Sequence, residues 1–105
     1  MSTIKANQGI VAQINLFTCK PENQQALIDV LTESARSVCH LPGWISANIH
    51  RSLDGTRVVN YAQSTSLEVA EEVIEKLRQG GFLDRNKAFG EAHPGLYEVV
   101  FTLQR

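Results

Sequence analysis

Excess charge of either sign is missing from this chain: ten basic and eleven acidic residues leave a formal net charge of -1 over 105 residues. A nucleic-acid binder needs a basic stripe and an acidic tail needs a block of like charge, so neither class of partner is expected. Long apolar runs are missing too. No segment approaches the roughly eighteen consecutive apolar residues of a membrane span, and the lead segment Met1 to Gln8 is polar, without the apolar stretch of a secretory signal. A cytoplasmic setting without membrane attachment is the expectation. Cysteine is scarce: Cys19 and Cys39 lie outside any C-x-x-C spacing and are expected to stay thiols. His40, His50 and His93 are not paired at metal-ligand spacing and have no carboxylate cluster beside them, and neither His50 nor His93 has a Ser or Cys nearby in a nucleophile context. Neither a metal site nor a catalytic triad is expected, and no G-x-G-x-x-G loop is present for a nucleotide cofactor. Repeats, linkers and low-complexity stretches are absent as well. Residues 1–105 therefore read as one domain, with residues 1–8 expected to be flexible and 43% hydrophobic content sufficient for a core.

What is present is a clear succession of elements. Ile10 to Thr18 alternates and is rich in β-formers, predicting a strand. Pro21 suits the first turn of a helix, where its missing N–H is no loss, and Ala26, Leu27, Val30, Leu31, Ala35 and Val38 recur at helical spacing up to the stop at Leu41-Pro42-Gly43. Trp44 to Arg51 and Arg57 to Ser64 alternate in period two around Asp54-Gly55, the pattern of a β-hairpin. Thr65 with Glu68 resembles a capping box ahead of a second helix, whose stripe is Leu67, Ala70, Val73, Ile74 and Leu77 and whose end is Gly80-Gly81. Phe82 to Glu91 is predicted as a third helix and Leu96 to Gln104 as the last strand, with His93-Pro94-Gly95 in a turn between them.

The order β-α-β-β-α-β predicts an α+β, ferredoxin-like antiparallel sheet with helices on one face. Both sheet faces carry apolar side chains: Val59 and Tyr61 oppose Val58, Asn60 and Ala62, and Tyr97, Val99, Phe101 and Leu103 form a row on the last predicted strand. A second apolar face in so small a chain calls for a cover. A homodimer packed sheet to sheet is the expectation, with Tyr61, Val99 and Phe101 at its interface.

The most specific stretch is Pro42 to Gln63, PGWISANIHRSLDGTRVVNYAQ. Its Pro-Gly-aromatic-x-Ser-Ala, His-x-Ser-x-Asp-Gly-Thr and Val-Val-Asn-Tyr-Ala-Gln blocks resemble the antibiotic biosynthesis monooxygenase family, small cofactor-free oxygenases that convert polyketide phenols to quinones. The resemblance implies a dimeric α+β barrel and a phenolic or polyketide-like aromatic substrate oxidised by molecular oxygen. It implies no metal, flavin or haem, because the substrate anion itself supplies the electron and the protein has only to position and stabilise that anion.

Resemblance also assigns roles. Asn60 matches the family's Asn, whose amide hydrogen-bonds the deprotonating phenol; the reading from the residue alone is a buried strand amide. Ser64 stands where the family has a Trp that packs on the ring, and shares a strand face with Asn60. Trp44, where the family commonly has Phe, is a candidate to compensate or else a core aromatic. Arg85 falls in the region where the polyketide-oxidising branch has an Arg that holds substrate oxygens, against the alternative of a solvated helix charge. Asn15 resembles the Asn of the haem-degrading branch, or is another buried amide. That branch carries an axial His in a Phe-x-x-x-His arrangement; counting from Phe82 reaches Asn86, so haem chemistry is not expected. Two readings stand: a cofactor-independent monooxygenase, and a small-molecule-binding barrel, non-catalytic or differently catalytic, that lost the family Trp.

Overall fold

The computed structural model describes residues 3–105; Met1 and Ser2, within the lead segment expected to be flexible, lie outside the described residues. The chain runs through β1 (Val11–Cys19), a single 3-10 turn (Pro21–Asn23), α1 (Gln24–Val38), β2 (Trp44–Arg51), β3 (Arg57–Ser64), α2 (Leu67–Gln79), α3 (Phe82–Lys87) and β4 (Gly90–Glu98). The four strands form one antiparallel sheet in the order β2-β3-β1-β4. This is the predicted ferredoxin-like arrangement, with both terminal strands side by side.

The hairpin has the predicted limits, and its turn shows why. Asp54 Oδ1 accepts from Ser52 Oγ at 2.8 Å, Thr56 N at 3.0 Å and Thr56 Oγ1 at 2.7 Å, while Gly55 supplies the positive φ of 82° that closes the reversal. Gln24 at the start of α1 donates through Nε2 to the carbonyls of Ser52 (3.1 Å) and Arg57 (3.0 Å), fixing helix to hairpin. At the other end Gly43 has φ 90°, and a Cβ there would stand 2.7 Å from both Thr65 Oγ1 and Val69 Cγ2. The Pro42-Gly43 stop thus also lets the entrance of β2 press against the start of α2.

Phe17, Leu27, Leu31 and Val58, each at most 3% exposed, form the core, with Ile28, Ile49 and Phe89 packed against it. Full burial of such side chains stabilises by about 1.5–3 kcal/mol each. Since Phe17 and Val58 are register partners, the face they share is the helix-covered one, and alternation puts Gln13 and Asn15 of β1 and Asn60 and Ser64 of β3 on it as well.

Three local predictions are corrected. The cap of α2 is Ser66, whose Oγ accepts from Val69 N at 3.2 Å, and not Thr65 with Glu68. The third helix stops at Lys87 instead of Glu91, and the last strand is Gly90–Glu98 instead of Leu96 to Gln104. Pro94-Gly95 had the look of a turn, yet β4 is an edge strand, where a proline's missing N–H can face away from the ladder. His93 accordingly sits mid-strand opposite Leu16, and Val99, Phe101 and Leu103 follow the strand rather than belong to it. Val99 accepts a hydrogen bond from Asn7 N at 3.1 Å, joining the lead segment to the chain's end, while Phe101 is 73% exposed. Among the described residues no helix is long and apolar enough to cross a membrane.

Candidate active site

The helix-covered face is filled at one end and hollow at the other. Under α1 lies the apolar core; between β1, β4, α2 and α3 lies a cavity of about 380 Å³, within the roughly 300–1,000 Å³ of small-molecule sites. Its floor is Gln13 and Asn15 of β1 with Ala92 and Pro94 of β4. Ile74 and Arg78 of α2 wall one side, and Leu83, Asn86 and Lys87 of α3 another. Its apolar side chains are Ile74, Leu83, Ala92 and Pro94, and its polar ones are amides and two cations.

Amide oxygens distinguish the site. Asn15 Oδ1, Asn60 Oδ1 and Asn86 Oδ1 are all shielded from solvent and all without a hydrogen-bond partner. Buried polar atoms are normally satisfied; of these three residues Asn15 and Asn86 line the cavity, and Asn60 does not. Asn15 and Asn60 are register partners across the β1–β3 ladder, a pairing that sets Cβ atoms about 4.5–5.5 Å apart. Asn15 lies on the cavity wall, with Asn60 beside it on the next strand. An amide of this kind can present its oxygen to a phenol O–H or its NH₂ to a phenolate.

Other candidates fall into different places. Ser64 is 5% exposed and its register partner is Trp44, at a bulge between Trp44 and Ser46; neither lines the cavity. The indole therefore starts the neighbouring strand directly across from the serine. Arg85 is turned away: its guanidinium donates to Glu33 of α1 at 2.8 Å, lies over the Phe82 ring at 5.1 Å, and holds the Glu33 carboxyl below its usual range. Cations at the cavity are instead Arg78, paired with Glu75, and Lys87, 3.6 Å from Asp84. Spacing pointed to α3, where Arg85 meets Glu33 of α1 and Asn86 and Lys87 line the cavity. Asn86, read from the sequence only as a missing axial ligand, is the buried residue of α3. Its local sequence, FLDRNK, carries no sign of this. Burial pushes the Cys19 thiol up, with the Asp54 charge adding to it. No metal-holding group of three or more His, Cys, Asp or Glu residues occurs among the described residues.

Both the fold and the sequence have counterparts among known proteins. Residues 10–71 match the antibiotic biosynthesis monooxygenase family, and the chain belongs to it. Among curated proteins it is similar to tetracenomycin-F1 monooxygenase of Streptomyces glaucescens, at 41% identity over 64 residues, which is 60% of this chain and 57% of that protein. The chain thus matches little more than half the length of that relative. Solved structures share the fold: SnoaB, a cofactor-independent oxygenase from Streptomyces nogalater, aligns with a TM-score of 0.78 at 20% identity over 92% of this chain and 99% of its own. The ActVA-Orf6 monooxygenase of Streptomyces coelicolor, in complex with nanaomycin D, aligns with a TM-score of 0.76 at 24% identity over 92% of both chains.

Proposed function

We propose that the protein is a cofactor-independent monooxygenase that oxidises a phenolic or polyketide-like aromatic with molecular oxygen, working as a homodimer. The observation that carries the reading is the pair Asn15 and Asn60, two partnerless amide oxygens side by side beneath the helices of a family monooxygenase fold. The substrate phenol loses its proton, and the resulting anion passes an electron to O₂. Recombination forms a carbon–oxygen bond, and loss of water from the hydroperoxide leaves a quinone. One oxygen atom enters the product and the other leaves as water, so neither an external reductant nor a flavin, haem or metal is needed.

Asn60 receives the phenol O–H on its partnerless Oδ1 and, through the NH₂ of the same amide, donates to the anion that forms, while Asn15 orients the ring. Preorganised donors of this sort typically supply about 2.7–4 kcal/mol to the transition state. The dimer reading rests on the face opposite the helices, where Ile14, Leu16, Val59 and Tyr61 are only half-buried and no helix packs. Tyr61, Val99 and Phe101 are its proposed contacts, on a scale of about 800 Å² per partner.

Ser64 in place of the family Trp favours a second reading, a binding protein without oxygenase activity. Oxygen uptake with a panel of anthrone-type phenols separates the two. Asn60→Ala should lower turnover on the order of a hundred- to a thousandfold with melting temperature and dimer retained. Unchanged turnover in the folded variant would remove Asn60 from the chemistry, and tight aromatic binding without uptake by the parent would favour the binding protein.

A further inference from the structure

We propose that Asn86 is a specificity-determining residue of the cavity, accepting through Oδ1 a hydrogen bond from a hydroxyl on the edge of a fused-ring substrate remote from the reacting phenol. It rests on the oxygenase reading for the identity of that phenol, but its basis is α3 itself. Asn86 is the buried residue of this six-residue helix, 6% exposed, while Asp84, Arg85 and Lys87 stand in solvent. Its main chain is occupied, since its carbonyl accepts from Phe89 N at 3.0 Å. Asn86 lines the cavity, and its side-chain oxygen, shielded from solvent, has no partner. A residue needed only to seal α3 onto the sheet would be apolar, because replacing an unsatisfied buried amide by a hydrocarbon of the same shape is neutral or stabilising.

The placement defines the ligand. Asn15 belongs to the sheet floor and Asn86 to the helical wall, with the apolar Ile74, Leu83, Ala92 and Pro94 completing the space. A molecule that satisfies both amides has a flat apolar body and hydroxyls on two edges. Arg78 and Lys87 already have Glu75 and Asp84 as partners, so recognition calls for no carboxylate on the ligand. The substrate class is a polyhydroxylated fused-ring arene, discriminated from its monohydroxylated analogue at Asn86.

Anaerobic fluorescence titration with 1,5-dihydroxynaphthalene and 1-naphthol tests this without turnover. The parent should bind the diol about tenfold or more tightly than the mono-ol. Asn86→Leu, which fills the position, and Asn86→Ala, which leaves it open, should both bring that ratio close to one; the leucine variant should melt no lower than the parent. A ratio unaltered in either folded variant, a parent without preference for the diol, or a leucine variant that melts lower and keeps the ratio would overturn the proposal. Oxygen uptake by the same parent is read separately. A protein that shows the Asn86-dependent ratio but consumes no oxygen retains this inference and loses the oxygenase reading.

Discussion

Beneath α1 the sheet presents Phe17 and Val58; two residues further along the same strands it presents Asn15 and Asn60. The backbone, register and face are the same, and only the side chains change, from two groups at most 1% exposed in a packed cluster to two amides without partners. One end of the layer contributes stability, with burial worth about 1.5–3 kcal/mol per large apolar side chain. The other end gives up packing and satisfied hydrogen bonds, and what it gains is room with directional groups. A fold this small can hold such a site because the two tasks are divided along single strands rather than between domains.

Substitutions can break or sharpen that division. Phe17→Ala hollows the packed end and has the largest expected effect, a loss of about 3–5 kcal/mol in urea-unfolding free energy. Asn15→Leu does the reverse, extending the apolar row toward the cavity. Removing a shielded orphan oxygen should raise stability by about 1 kcal/mol while oxygen uptake and aromatic binding fall sharply; a variant that loses stability would mean the amide is structural. Asp54 tests the hairpin turn that anchors the packed end. Its three hydrogen bonds hold the carboxyl at about 2, below the ordinary 3.8. A depressed folded pKa gives stability that is complete above 3.8 and is lost as pH falls through about 2. Asp54→Asn should therefore flatten the parent's decline in unfolding free energy between pH 4 and 2, and an unchanged slope would assign that decline to other carboxylates. The smallest effect belongs to Arg85→Ala. Its solvent-exposed link to Glu33 should leave the melting temperature almost unmoved and oxygen uptake within about twofold. A large loss of turnover would return Arg85 to the site.

Features that depend on neighbours in sequence were legible there. Alternation and Asp54-Gly55 define the hairpin locally, and Asn60 and Ser64 share a face by period two. Features that depend on the assembled sheet were not. Pro94 excludes a central strand but not an edge strand, and only the order β2-β3-β1-β4 says which β4 is. Asn86 is polar in a polar segment, and becomes a cavity residue only because Gly80 and Gly81, the latter at φ 81°, fold α3 back over β1 and β4. Arg85 beside it shows the limit of spacing: on so short a helix one residue's difference separates the cavity wall from the contact with α1.

Pro94 has one more effect, on how these molecules meet each other. An open strand edge is a template on which a second chain can grow a ladder, the usual route to fibres and precipitates. On β4 that template has a gap, since the proline offers no donor at mid-strand, and on β2 the opposite border is bent by the bulge between Trp44 and Ser46. Lateral growth is thus obstructed at both borders, and open-ended ribbons built edge to edge are disfavoured.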